Sequence, residues 1–169
     1  AGGVVVGNSP RCATEQTADI GMYLMLGSVR RVPQILAEWT AGRRGIADWE
    51  RTVPPIGDMR GSVLALIGLG RIARAVAVRA QAFGVRCIAY APTVSPWEAQ
   101  ALGVQLVELN EALAEADIVS VHLPYNPATH HFINAERLAR MQPSAVLINV
   151  SRGPIVDEAA LGRTLESGG

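Results

Sequence analysis

The run Gly68-Leu69-Gly70-Arg71-Ile72-Ala73 has the residue types and spacing to hold a phosphate group. It reads G-x-G-x-x-A. An apolar stretch, 62–67 (SVLALI), precedes it, and an alanine-rich stretch with Ala75, Ala77, Ala80 and Ala82 follows. In such a run the first glycine permits a tight turn between strand and helix, and the second lets the backbone approach a pyrophosphate with no Cβ between them. The helix start then turns free N–H groups and the positive end of its dipole toward the phosphates. Ala73 stands where a third glycine normally allows close helix–strand packing, and alanine is an accepted variant. Gly68 and Gly70 therefore point to a bound dinucleotide. An acidic residue about 20 positions on would be expected to take the ribose 2′-hydroxyl. That position carries Ala91, within Tyr90-Ala91-Pro92-Thr93. Its loss favours NADP by removing repulsion of a 2′-phosphate, yet no arginine follows between Pro92 and Pro96 to bind one. The choice between NAD and NADP stays open on these residues.

Such a turn needs a sheet to stand on. Short apolar runs recur at 4–6, 62–67, 86–90, 104–107, 117–121 and 145–149. Helix-like stretches lie between them, at about 14–32, 71–83, 109–116, 134–141 and 157–167. Continuously apolar strands separated by helices predict a parallel sheet buried on both faces. The fold class is α/β, a Rossmann-type doubly wound parallel sheet. From Ala18 to Leu26 the first helix is apolar on nearly every side, so it should be buried all round, in the core, in an interface, or both. Residues 42–61 break the pattern with Pro54, Pro55 and four glycines. They read as a long connection, with Trp49 available to pack it down and Arg43 and Arg44 facing solvent. The division that follows is 1–61 (a first strand, the apolar helix and the connection) and 62–169, the dinucleotide-binding core.

Composition excludes several other chemistries. The 169 residues are 49% hydrophobic and 18% charged, which suits a packed core and not a disordered chain. Fifteen acidic residues cancel fifteen basic ones, which disfavours nucleic acid as a partner. Every basic residue is arginine, so no Schiff-base or P-loop lysine exists here. Cys12 and Cys87 stand far apart, and no metal-ligand spacing occurs, so no metal site is expected. No apolar run approaches the ~18 residues of a membrane span, and no signal peptide is recognisable. A soluble, cytoplasmic domain is the expectation.

Three segments together carry a family resemblance: LIGLGRIARAVAVRAQAFGVRCIAYAP, EADIVSVHLPYNPATHHFIN and LINVSRGPIVDEAAL. In this order they resemble the nucleotide-binding domain of the D-isomer-specific 2-hydroxyacid dehydrogenases. VGNSP and ATEQTADIGMYLML resemble that family's crossover into the domain and its dimer-forming helix. The resemblance implies an NAD(P)-dependent oxidoreductase that passes a hydride between nicotinamide and a D-2-hydroxy or 2-keto acid, acting as a homodimer.

It also implies roles residue by residue. Arg71 and Ile72 would meet the pyrophosphate, and Ala91 would occupy the ribose-reading position. Leu123 and Pro124, after His122, would run along the cofactor, with Thr129 at the far end of that loop. Val150, Ser151 and Arg152 would reach the nicotinamide, and Ser9 would lie near it at the domain hinge. Arg152 would also bind the substrate carboxylate and the reacting oxygen, since a guanidinium fork grips a carboxylate and stabilises alkoxide-like charge. In the family an acid/base histidine and its glutamate partner follow the SRG segment. His122, His130 and His131 precede that segment and do not match the histidine. By itself this chain is therefore expected to bind cofactor without turnover and to be the core of a longer enzyme. The second reading is a non-catalytic, dinucleotide-sensing module resembling the C-terminal-binding-protein corepressors. A third, an adenosylhomocysteine-hydrolase type of enzyme, fits SRGPIVDEAAL poorly.

Overall fold

The computed structural model describes residues 12–43 and 45–167, with Asp48 described in its backbone only. The apolar run at 4–6 and Ser9 fall outside the described residues. Five strands form one parallel sheet: β1 (Val63–Ile67), β2 (Arg86–Tyr90), β3 (Gln105–Leu106), β4 (Ile118–Val121) and β5 (Val146–Asn149). Their order is β3-β2-β1-β4-β5. The chain works outward from β1 to one edge, then returns to the other side of β1. This is the Rossmann-type winding, and the direction reverses between β1 and β4.

Alternation along the strands fills a core on each face. Leu64 and Leu66 of β1 and Cys87 of β2 point one way, toward α4 (Arg71–Ala82) and α1 (Thr14–Val29). Ala65 and Ile67 point the other way, toward Ala112 and Leu113 of α6 (Leu109–Glu115). Ala73, Val76, Ala77 and Ala80 are the buried stripe of α4. Their small side chains let the helix lie close to the sheet, as expected of Ala73. Beyond β5, a 3-10 turn (Gly153–Ile155) leads into α8 (Glu158–Glu166). Asp157 caps α8 by accepting from the Ala160 N–H.

Several expectations need correction. The first helix stops at Val29, not residue 32. Arg31 takes a left-handed φ of 55° there, and α2 (Val32–Thr40) starts anew with proline in its first turn. Proline is tolerated at that position because its missing N–H has no intrahelical partner. The connection at 42–61 holds a helix of its own, α3 (Ile46–Thr52). Trp49 does anchor it, donating from Nε1 to the Arg43 carbonyl at 2.9 Å, and the Arg43 side chain is paired with Glu38. A short helix absent from the pattern, α5 (Pro96–Ala101), is set by a Ser95–Glu98 capping box. The fourth apolar run keeps only the two residues of β3. The run at 134–141 keeps α7 (Ala135–Leu138) alone.

Helix α1 is not enclosed on all sides. Ala18, Gly21, Met22 and Met25 are buried against the core, whereas Tyr23 is 66% and Ile20 55% exposed. Gly21 marks the crossing with α4, since a Cβ there would stand 3.5 Å from Val76 Cγ2. Arg79 of α4 ties the two helices together through Glu15 at 2.6 Å and Asp19 at 2.9 Å.

Candidate active site at the carboxyl edge of the sheet

Strand register brings the candidate residues together. Tyr90, Ile67, Val121 and Asn149 are level across β2, β1, β4 and β5. The residues that leave the sheet side by side are therefore Ala91, Gly68, His122 and Val150. Four strands at the usual spacing make an edge of about 14 Å, the scale of an extended dinucleotide. Ligands of open α/β sheets bind outside this edge, where the strand order reverses.

Above the edge opens a cleft of about 610 Å³. Gly70, Arg71 and Ile72 line it from the start of α4, Leu123 and Pro124 from the β4 loop, and Val150, Ser151 and Arg152 from the β5 loop. Among the described residues, no carboxylate lines it and two guanidinium groups do. Among the described residues, neither Arg71 nor Arg152 has an acidic partner within ion-pair distance. The cleft is built for anions.

The two glycines of the turn serve different ends. Gly68 has φ +95°, and a Cβ on it would lie 3.1 Å from the His122 carbonyl oxygen. Backbone conformation and crowding both demand glycine there. Gly70 has φ −75°, open to any residue, and a Cβ on it would meet nothing within 4 Å. The protein itself gives no reason for glycine at 70, and the empty space lies in the cleft. Gly70 is also the N-cap of α4, and no side chain caps that helix. Its first N–H groups lack intrahelical acceptors, as in any α-helix, and face a site suited to an anion. These features fit a pyrophosphate-bearing cofactor.

His122 adds no charge to the site. Burial pushes its pKa down to about 4, and Ser120 Oγ lies 2.9 Å from Nε2. Ser120 itself is fully buried within β4. Thr129 does not line the cleft. Its hydroxyl donates to the Pro124 carbonyl at 2.6 Å and accepts from the Asn126 N–H at 2.9 Å, so it fixes the shape of the β4 loop. Ala91 is buried at the end of β2, next to the strand that carries the glycine turn, and also lies outside the cleft lining.

The arginine loop is held from beneath. Ser151 Oγ donates to the Val121 carbonyl at 3.0 Å, joining the β5 loop to the end of β4. Arg152 is exposed, and its Nη1 donates to the Ser151 carbonyl at 2.8 Å, which holds one edge of the guanidinium against its own loop.

A family model described as "D-isomer specific 2-hydroxyacid dehydrogenase, NAD binding domain" matches residues 22–169. The chain belongs to this family. D-3-phosphoglycerate dehydrogenase of Methanocaldococcus jannaschii is 36% identical over 98% of this chain and 31% of its own length. Glyoxylate reductase of Korarchaeum cryptofilum is 38% identical over 98% of this chain and 50% of its own length. The chain thus spans 31% to 50% of the length of these two curated relatives. Among solved structures, D-lactate dehydrogenase from Aquifex aeolicus, complexed with NAD and lactic acid, superposes with a TM-score of 0.86 at 31% identity. That match covers 95% of this chain and 46% of the other.

For a 2-hydroxyacid dehydrogenase domain, the cleft gathers eight of the positions expected from the sequence: Gly70, Arg71, Ile72, Leu123, Pro124, Val150, Ser151 and Arg152. Sequence reasoning missed Cys12 and Thr14, at the start of α1, and Tyr125. No residue pattern marks the first two, because α1 reaches the cleft only through its packing on α4. Tyr125 directly follows Leu123-Pro124 and could have been found by extending that loop by one residue.

Proposed function

We propose that this chain is the cofactor-binding part of an oxidoreductase that interconverts a D-2-hydroxy acid and its 2-keto acid. The observation that carries the reading is the space over Gly70, glycine without a backbone reason, in a cleft whose described lining has two guanidinium groups and no carboxylate. NAD, when bound, supplies or accepts the hydride. Arg71 and the start of α4 hold its pyrophosphate, and Leu123 and Pro124 cover it along the β4 loop. Ala91 lies on the adenosine side, where the missing carboxylate lets NADP enter as well as NAD. Val150 and Ser151 flank the nicotinamide end, as would Ser9.

Arg152 binds the substrate carboxylate and stabilises negative charge on the reacting oxygen. Its loop is fixed, so the guanidinium does not have to be ordered at each encounter. His122 is buried, its pKa is pushed down to about 4, and it is hydrogen-bonded to Ser120, so it is not the group that exchanges a proton with the hydroxyl. Enzyme names of the relatives support this reading over a non-catalytic sensing module.

A second copy of the chain covers the exposed Ile20, Tyr23 and Leu24 of α1, making a homodimer. Of the division near residue 61, the same proposal keeps α2 outside the dinucleotide-binding core, since it buries none of its residues, whereas α1 packs into that core. A cytoplasmic location is supported by two unpaired thiols, Cys12 and Cys87, as expected of a reducing compartment.

The test is turnover of glyoxylate, pyruvate and hydroxypyruvate with NADH or NADPH, using the full-length polypeptide that carries this sequence. Arg152→Met is expected to lower kcat/KM by at least about 100-fold, on the scale of losing a charge-stabilising donor. Full activity in that variant would remove Arg152 from the chemistry.

A further inference from the structure

Asn149 is the last residue of β5, and none of the roles above uses it. Its side chain turns back over the loop that follows. Oδ1 accepts from the Ser151 N–H at 3.0 Å, and Nδ2 donates to the Arg152 carbonyl at 2.9 Å. One planar carboxamide thereby spans the Ser151–Arg152 pair, holding the Val150–Ser151 peptide by its N–H and the Arg152–Gly153 peptide by its carbonyl. The chemistry of the partners fixes the orientation of the amide, because an N–H must face an oxygen and a carbonyl must face an N–H. No other side chain of this size offers both groups. Aspartate presents two acceptors, one of them against the Arg152 carbonyl. Serine is too short to span the turn.

We propose that Asn149 is the positioning residue for Arg152, setting the backbone from which its guanidinium meets the substrate carboxylate. The proposal rests on the reading of Arg152 given above. Supports on the other sides of the loop leave this one position to Asn149. Beneath, Ser151 Oγ is bonded to the Val121 carbonyl. Downstream, the 3-10 turn is clamped to the neighbouring segment by His131 N–H to Pro154 carbonyl at 2.8 Å and Ile133 N–H to Ile155 carbonyl at 3.0 Å. Between these anchors the Arg152 carbonyl accepts two hydrogen bonds, one from the Ile155 N–H of the 3-10 turn at 3.2 Å and one from Asn149 Nδ2 at 2.9 Å. Without the carboxamide, the Ser151 N–H loses its acceptor and the Arg152 carbonyl keeps only the bond of the 3-10 turn, so the backbone that carries the guanidinium shifts. A misplacement of about 1 Å at a substrate-orienting group costs on the order of 100-fold in rate.

The experiment compares Asn149→Asp, Asn149→Leu, Arg152→Met and the double variant Asn149→Asp/Arg152→Met in the full-length polypeptide. Two probes are read: kcat/KM for glyoxylate with NADH, and the affinity of oxamate for the NADH-loaded protein by calorimetry. Oxamate is a planar analogue of a 2-keto acid and needs no turnover. Both Asn149 variants are expected to lose 10- to 100-fold in kcat/KM and about 10-fold in oxamate affinity, with the Kd for NADH within twofold of the parent. In the Arg152→Met background, Asn149→Asp is expected to change neither probe further, since the two residues act as one unit. A residue that only braces the strand end would lower Tm and leave the oxamate affinity and the double-variant effect additive. Folded Asn149 variants within threefold of the parent in both probes would overturn the proposal. If Arg152→Met itself were silent, the reading of Arg152 would fall, and a distinct outcome would identify that failure. A parent protein that neither reduces glyoxylate nor binds oxamate would overturn both.

Discussion

Replacing Gly70 by valine separates a cofactor glycine from a folding glycine. At Gly70 the backbone lies at φ −75° and ψ −173°, an extended conformation that β-branched residues adopt readily. The added side chain enters open space, so no packing is disturbed. Losing a glycine N-cap costs a few tenths to about 1 kcal/mol. Restricting the unfolded chain returns about 0.4–1 kcal/mol. The two nearly cancel, and Tm should stay within about 3 °C of the parent, at 2–4 °C per kcal/mol for a domain of this size. The affinity for NADH should behave differently. A hydrogen bond between a backbone N–H and a charged phosphate contributes about 1.5–3 kcal/mol, and a Cβ branch at the contact removes at least one. At 1.4 kcal/mol per tenfold, the Kd rises by about 10- to 100-fold. Gly68→Ala is the control. Its φ of +95° strains any other residue by about 1–3 kcal/mol, and the new Cβ meets strand-end backbone at 3.1 Å. Tm should fall by about 6–12 °C, taking about 3 kcal/mol in all. Calorimetric titration with NADH, together with thermal unfolding of all three proteins, reads both quantities. A folded Gly70→Val protein that binds NADH within threefold of the parent would refute the placement of the pyrophosphate. So would a Gly70→Val protein as unstable as Gly68→Ala.

Acid should weaken the fold through His122. Its native pKa of about 4 lies below its ordinary 6.5, so between those values the unfolded chain binds a proton that the native state excludes. Stability is therefore lost as pH falls from about 7 toward 4, by up to about 3 kcal/mol. Asp157 and Glu98, whose carboxyls are held below their usual range by the hydrogen bonds of their helix starts, contribute losses only at lower pH. Urea midpoints at pH 7, 6 and 5 should converge for His122→Asn and separate for the parent, and equal slopes would remove His122 as the cause. Ala91→Asp should raise the preference for NADH over NADPH by at least about 10-fold, since a carboxylate accepts from a ribose hydroxyl and repels a 2′-phosphate. An unchanged ratio of the two Kd values would mean that the adenosine ribose lies elsewhere. Tyr23→Asp places a charge on the exposed face of α1 and should yield monomers in sedimentation velocity. Met22 would be the wrong choice, because it is buried in the chain's own core. A dimer mass that survives Tyr23→Asp would rule out this face as the interface.

Local sequence determined the glycine turn, the strands and the winding of the sheet. Each rests on short-range physics: a tight turn without Cβ, apolar runs long enough for a strand, and an alanine stripe that packs close to a sheet. For the same reason β2 appears with its expected bounds at Arg86–Tyr90. The elements that sequence reasoning misplaced are α2, α3 and α5. They are short and owe their limits to particular local contacts: a left-handed Arg31, a Trp49 anchor and a Ser95–Glu98 capping box.

Tertiary structure alone decided the rest. Register between strands set Ala91, Gly68, His122 and Val150 side by side, though Gly68 and Val150 stand 82 positions apart in the chain. Packing of α1 on α4 split an evenly apolar helix into a buried face and a bare one, which no periodicity within the helix distinguishes. Gly68 and Gly70 look alike in the sequence. Only the neighbours of their missing side chains, backbone for one and open cleft for the other, show which serves the fold and which serves the ligand. Asn149 reads as an ordinary strand residue until its amide is found bonded to both the Ser151 N–H and the Arg152 carbonyl. A side-chain contact two or three residues ahead depends on the turn that follows, and that turn is held by strand β4 from 30 residues away.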